Sequence, residues 1–233
     1  MPDLLEIYRS HAATYDRLVE REDLEHNLLP AIARVARVED ARVVELGAGT
    51  GRVTRLLVPA ARSVEAYDTS PAMLAVAEAT LVRSGRHNWR LGVADHRSVP
   101  APSAAADICI AGWSVSCLAV YTGPSWQIEV RAALTEMERL AVPGGAIVII
   151  ETLGTGSESP DPPGDLIPYY ELLADTGFAS TWIRTDYRFR DVEEARELTR
   201  FFFGETPVAA LRDNGGGVVL PECTGLWWKR RQA

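Results

Sequence analysis

The chain has 233 residues, 47% of them hydrophobic, and a formal net charge of −8; at that length it buries roughly 70% of its unfolded surface in a core of its own. The acidic balance argues against broad contact with phosphate backbones, which needs clustered Lys and Arg, and the one dense basic run, Lys229-Arg230-Arg231, reads as a solvated tail. Three cysteines (Cys109, Cys117, Cys223) without a CxxC pair speak against a disulfide framework or a cysteine zinc site, and no leader or 18-residue apolar stretch is visible, so a cytoplasmic location without a membrane span or structural metal is expected.

In chain order, Leu24, Leu28, Ile32 and Val35 mark an N-terminal helix with Pro30 in its first turn or at a kink. Residues 42–46 form the first strand, a glycine-rich turn follows, and a helix is expected over 52–60. The second strand is 63–67. Ser70-Pro71 then supplies an N-cap and a first helical residue for a helix with Met73, Leu74, Ala77 and Leu81 on its apolar face, ended by Gly85. Residues 88–93 are the third strand. The fourth, 106–111, is apolar after Asp107, as a buried parallel strand should be, and makes Cys109 a small buried hydrophobe. A helix over 125–142 carries Val130, Leu134, Met137 and Ala141; Pro143-Gly144-Gly145 stops it, and 146–150 is the fifth strand.

Beyond it, 153–165 is a Gly/Ser/Pro-rich loop, either an acceptor lid or a plain connection. A short helix is expected near 166–176 and strands at 181–189 and 217–228. Between those strands Asp191 and Glu194 resemble a capping box ahead of a helix with Ala195, Leu198 and Phe202. The Phe201-Phe202-Phe203 run either packs the core or lines a pocket. Strands alternating with helices predict an α/β fold with a parallel sheet covered on both faces.

The segment that carries chemistry is VVELGAGTGRVT, residues 43–54: a strand ends in Gly47-Ala48-Gly49-Thr50-Gly51 and a helix begins. Glycines permit a tight turn and close approach of a ligand to the backbone. The dinucleotide fingerprint G-x-G-x-x-G/A would put its last small residue at position 52, where Arg52 stands, which lowers the odds for NAD or FAD. Asp68, ending the second strand, is placed to accept hydrogen bonds from ribose hydroxyls, or else starts a turn. Asp95-His96 follows the third strand, where a carboxylate can meet an adenine amino group or form a turn.

In this order and spacing the pieces resemble the class I S-adenosylmethionine-dependent methyltransferases, from Tyr15 to Glu151: ELGAGTGR, Asp68, Asp95, and LAVPGGAIVIIE ending at Glu151. The resemblance implies a Rossmann-like, seven-stranded, mostly parallel sheet with an antiparallel last strand. It implies one domain over 1–233, with a helical cap over the cofactor (1–40), a cofactor-binding core (41–152) and an acceptor side with the terminal strands (153–233). Residues 185–205 would be a helical insertion before the last strand, which ends at GLWWKR. The cofactor would be S-adenosylmethionine, leaving as S-adenosylhomocysteine. Gly47, Ala48 and Gly49 would line its methionine moiety; Asp68 and Thr69 would face the ribose, Asp95 and His96 the adenine, with Glu45, Gly51, Met73 and Gly112 around them. Tyr15 would sit in the helix that closes over it. The position after the fourth strand reads AGWSVS rather than [DN]-P-P-[YFW], so methylation of nucleic-acid bases is not expected.

Ligands of open α/β sheets sit beyond the carboxyl ends of the strands, which nominates Trp113, Ser114, Ser116, Tyr121, Trp126 and Glu151 for the acceptor, the aromatics equally as core packing. His11 and His96 are the candidate bases, though each reads first as a surface or capping histidine. The expected reaction is in-line transfer of a methyl group to a small molecule. The rivals are a nicotinamide-dependent reductase, a polyamine synthase and a non-catalytic cofactor-binding domain. Oligomeric state and acceptor are not written in the sequence.

Overall fold

Alternation of buried apolar runs with amphipathic stretches produces one main sheet in the computed structural model, which describes residues 3–232. Three helices come first: α1 (Leu4–Ser10), α2 (Ala12–Val19) and α3 (Leu28–Val35). The chain then lays down β1 (Arg42–Leu46), α4 (Arg52–Leu57), β2 (Ser63–Asp68), α5 (Pro71–Arg83), β3 (Trp89–Val93), β4 (Ala106–Gly112), α6 (Ser116–Tyr121), α7 (Trp126–Leu140) and β5 (Ala141–Thr155). After these come α8 (Ile167–Asp175), β6 (Ala179–Arg184), β7 (Tyr187–Phe189), α9 (Val192–Phe203), β8 (Arg212–Asp213), β9 (Val218–Leu220) and β10 (Glu222–Arg230). The main sheet has seven strands in the order β3-β2-β1-β4-β5-β10-β6. Strands β1 to β5 pair in parallel, while the last strand in sequence, β10, runs antiparallel between β5 and β6.

Successive strand side chains point to opposite faces, and the two cores follow from that. Val43, Ile108, Val148 and Ile150 meet α3, α4 and α5, whereas Val44, Cys109, Ile147 and Ile149 meet α7 and α8. Met73, Leu74, Ala77 and Leu81, the expected apolar face of α5, are all buried, and Ser70 caps that helix by accepting from the Met73 N–H at 3.3 Å.

Several boundaries differ from the reading above. Helix α3 begins at Leu28, leaving Leu24 in the preceding turn, where its N–H donates to the Asp186 carbonyl; Pro30 sits in the first turn. Helix α4 stops at Leu57. The helix expected over 125–142 spans Trp126–Leu140, and α6 precedes it. Pro143-Gly144-Gly145 does not separate helix from strand: β5 already begins at Ala141, and the segment loops out of it. Ala106 pairs with Ala141 but Ile108 with Ala146, so the extra residues bulge, with Gly144 at φ +77°. Strand β5 runs on to Thr155, so 153–155 are strand rather than loop.

The stretches 181–189 and 217–228 each split between two sheets. A small sheet, order β7-β9-β8, packs with α9 around Leu18, Tyr187, Phe189, Leu198 and Leu220. The insertion before the last strand is thus helix plus sheet. The breaks come at Thr185-Asp186, where the Asp186 carboxylate accepts from the Glu222 N–H, and at Pro221, which has no N–H to give to a ladder. Asp191 caps α9 by accepting from the Glu194 N–H, while the Glu194 carboxylate reaches the N–H of Arg190, one residue earlier than a capping box requires.

Candidate active site

The site is built where β1 ends. Gly47 (φ +71°) and Ala48 both donate to the Tyr67 carbonyl, at 2.7 and 2.9 Å, and Gly49 (φ +54°) donates to the Asp68 carboxylate at 2.8 Å. Gly51 (φ +84°) donates to the Ala48 carbonyl and opens α4. The N–H groups of these four residues are spent inside the protein.

Above the loop lies a cavity of about 500 Å³, a volume suited to a nucleoside-sized ligand. The structure brings Tyr15, Glu45, Gly47, Ala48, Gly49, Asp68, Thr69, Met73, His96, Gly112 and Trp113 to its wall. Gly51, Asp95, Tyr121, Glu151 and His11 are not part of that wall. Gly51 packs against α5, where an added Cβ would lie 3.1 Å from that of Ala77. The Asp95 carboxylate turns to Arg97, an ion pair at 2.6 Å. Tyr121 is exposed at the end of α6. His11 is exposed at the α1–α2 junction, edge-on to Phe201. Glu151 is buried beneath the site and holds α6, accepting from the Ser116 N–H (2.9 Å), its hydroxyl (2.7 Å) and the Tyr169 hydroxyl (3.3 Å). Trp126, the first residue of α7, is half-buried against the core, and Phe202 packs against the small sheet.

The wall also contains Tyr8, Arg9, Arg52, Ser114 and Cys117. Tyr8 and Arg9 belong to a seven-residue helix with no motif of its own. Its position over the cavity is tertiary: the Ser70 hydroxyl donates to the Tyr8 carbonyl at 2.8 Å, and Tyr8 and Tyr15 meet edge to face with Phe202 beside them.

The lining fits an adenosine cofactor bearing an amino-acid tail. An added Cβ on Gly49 would meet nothing within 4 Å, so that backbone faces open space, whereas one on Gly47 would fall 2.3 Å from the Ser114 Cβ. The two Asp68 oxygens accept from the Gly49 and Ser70 N–H groups, which fixes the carboxylate at the rim with lone pairs to spare for hydroxyls. His96 Nε2 is buried without a partner, and burial lowers its pKa, so it stays neutral. Burial pushes Glu45 up to about 8, against the opposing hydrogen bond from Thr54. Trp113 sits at φ +50°, an unusual conformation for a bulky residue, with its N–H on the Ile150 carbonyl at 2.6 Å.

Residues 44–149, the parallel core that carries this loop, match the family model described as "Methyltransferase domain". Over that core, just under half of the chain, it is similar to the class I S-adenosylmethionine-dependent methyltransferases. Among curated relatives, the malonyl-[acyl-carrier protein] O-methyltransferase of Serratia marcescens is 34% identical over 116 residues, half of this chain and 40% of that one. The chain therefore spans under half the length of that relative. Among solved structures, the YcgJ protein of Bacillus subtilis superposes with a TM-score of 0.58 at 15% identity, covering 89% of this chain and 99% of that one. The [4+2]-cyclase SpnF does so at 0.54 and 17% identity, covering 89% and 82%. These likenesses carry the methyltransferase fold; what is done on it is decided by side chains. Among the described residues no helix is long and apolar enough to cross a membrane.

Proposed function

We propose that the chain moves a methyl group from S-adenosylmethionine to a small-molecule acceptor. The observation that carries this reading is the joining of Gly49, Asp68 and His96 around one cavity within a methyltransferase core. The relatives' printed activity, O-methylation of a malonyl-[acyl-carrier protein], is compatible with a small acceptor group. Arg52 at the last position of the dinucleotide fingerprint disfavours a nicotinamide cofactor.

When bound, the cofactor supplies a methyl on a sulfonium, an electrophilic carbon that needs no metal. The chain's own residues bind and orient. Asp68 holds the ribose hydroxyls, Gly49 lets the tail approach the backbone, and His96, neutral, presents Nε2 as an acceptor to the adenine side. Glu45, uncharged at neutral pH, accepts the Thr54 hydroxyl under the loop. Tyr8 and Tyr15 cover the cavity and exclude water, so alignment of the reactants can supply up to roughly 7–11 kcal/mol of the barrier. His96 lies with Gly47 and Ser114 on the cofactor side and His11 outside the cavity, so neither is assigned as a base; both are positioning or surface residues in this reading.

The test is calorimetric titration with S-adenosylhomocysteine and, separately, NADH. Micromolar binding of the first alone, weakened in Asp68→Ala, supports the reading. Binding of NADH alone overturns it.

A further inference from the structure

Arg52 enters the sequence argument only as a residue too large for a dinucleotide fingerprint, yet the fold gives it a specific place. It is the first residue of α4, its side chain is 14% exposed, and its guanidinium lies 3.4 Å from the centroid of the Trp113 ring. Nη1 pairs at 2.6 Å with Glu22, whose side chain is 1% exposed. Nη2 is buried and has no hydrogen-bond partner. An unmade hydrogen bond on a buried charged donor is costly, and Arg52 lines the cavity. The cation is therefore anchored on one nitrogen, stacked on one face and uncommitted on the other nitrogen.

The remaining charges of the cavity decide what that nitrogen would take. Asp68 gives both oxygens to backbone N–H groups, and Glu45 is uncharged at neutral pH and occupied by Thr54. Glu22 neutralises Arg52, and burial raises the neighbouring Glu222, keeping it protonated. Arg9, in the last turn of α1, lines the same cavity, is exposed and makes no ion pair among the described residues. Asp68 and Glu22 thus already have partners, whereas among the described residues Arg52 Nη2 and Arg9 do not. Arg52 stands beside Trp113 and Glu22 at the start of α4, and Arg9 beside Tyr8 on α1.

We propose that Arg52, stacked on Trp113 and braced by Glu22, together with Arg9, recognises a carboxylate on the acceptor. A guanidinium fixed in this way presents planar N–H donors that match a carboxylate, at little ordering cost. The strained Trp113 is the plate that sets its angle. This rests on the methyltransferase reading, since it assigns an acceptor contact within the same cavity.

The experiment uses the full chain saturated with S-adenosylhomocysteine and, as probes, benzoate, hexanoate and monomethyl malonate, each beside its own amide, followed by calorimetry and ligand-observed NMR. The expected result is that at least one acid binds and that its amide binds tenfold or more weaker. Arg9→Gln and Arg52→Gln each then weaken the acid about tenfold, and by more than they weaken S-adenosylhomocysteine; a larger loss on S-adenosylhomocysteine overturns the assignment to the acceptor. Because Arg52→Gln leaves Glu22 buried without its partner, Arg52→Gln/Glu22→Gln is run beside it, and the exposed Arg9→Gln carries the same test without risk to the fold. Acids and amides binding alike, no acid binding, or acid binding untouched by all the variants overturns the carboxylate assignment while the cofactor reading stands. Failure of S-adenosylhomocysteine itself to bind overturns both.

Discussion

The carboxylate of Asp68 accepts the Gly49 N–H at 2.8 Å and so ties the tip of β2 to the centre of the glycine loop. Its other oxygen accepts the Ser70 N–H at 2.7 Å, at the start of α5. One side chain therefore shapes the loop, the strand end and a helix start before any ligand arrives. Hydrogen bonds to a charged group contribute about 1.5–3 kcal/mol each. Asp68→Asn keeps one carbonyl acceptor and Asp68→Ala keeps none, so melting temperature and S-adenosylhomocysteine affinity are both expected to fall in the order wild type, Asn, Ala. Affinity in the Ala variant drops on the order of 10- to 100-fold. A variant that loses affinity with no change in melting temperature would show that Asp68 serves the ligand alone.

Two glycines of the loop separate fold from ligand. At Gly47 a Cβ would fall 2.3 Å from the Ser114 Cβ and 2.7 Å from His96 Nε2, whereas at Gly49 it would project into empty space. Gly47→Ala is expected to cost several kcal/mol from collision plus the left-handed φ. Gly49→Ala bears only the strain of φ +54°, about 1 kcal/mol. Thermal melting and calorimetric titration run together check this: Gly47→Ala lowers the melting temperature steeply, while Gly49→Ala melts near wild type and binds S-adenosylhomocysteine tenfold or more weakly. Equal melting losses in both variants contradict the division.

The parallel core was readable because each of its elements carries a local signal. Gly47 to Gly51 end β1, Ser70-Pro71 opens α5, and β4 is apolar throughout its length after Asp107. The antiparallel β10 came only through family resemblance. Helix α6 was not readable: it has six residues, none buried, and no side-chain cap, so no periodicity forms. Strands β7 and β9 have three residues each, too few for alternation to show. In the site, Asp68 and the loop glycines announce themselves by their place after strands. Tyr8 and Arg9 do not, because only the Ser70 bond and aromatic packing put them over the cavity. Asp95 carried a strand-exit signal, but Arg97, two residues on, takes its carboxylate. Glu151 had a similar signal, and its partner is the unforeseen α6.

Burial also sets a pH dependence. Glu45 is held up at about 8 and Glu151 at about 7, each chiefly by loss of solvent. Between the ordinary glutamate range and these values the folded protein binds more protons than the unfolded chain, so stability is full in mild acid and falls as pH rises. Each such group contributes a slope of about 1.4 kcal/mol per pH unit within its window. Melting temperature is therefore expected to decline from pH 5.5 to 7.5. Glu45→Gln, which keeps an acceptor for the Thr54 hydroxyl and cannot ionise, is expected to flatten part of that decline and to melt higher than wild type at pH 8. A slope for Glu45→Gln identical to wild type would remove Glu45 from this account.

Ser70 couples the start of α5, beside the cavity, to α1 above it. Its hydroxyl accepts the Met73 N–H at 3.3 Å, capping α5, and donates to the Tyr8 carbonyl at 2.8 Å, pinning α1. Ser70→Ala removes both. Loss of the cap costs about 1 kcal/mol, a shift of roughly 2–4 °C in a chain of this size. Loss of the pin acts differently, because it frees α1 without touching the loop. The variant is therefore expected to release S-adenosylhomocysteine several-fold faster with a nearly unchanged association rate, measured by stopped-flow quenching of tryptophan fluorescence. Without ligand, proteolysis is expected to cut α1 and α2 sooner than in wild type. If dissociation is unchanged while the melting temperature falls, Ser70 serves only as the helix cap, and the tyrosines of α1 and α2 cover the cavity by their packing against Phe202.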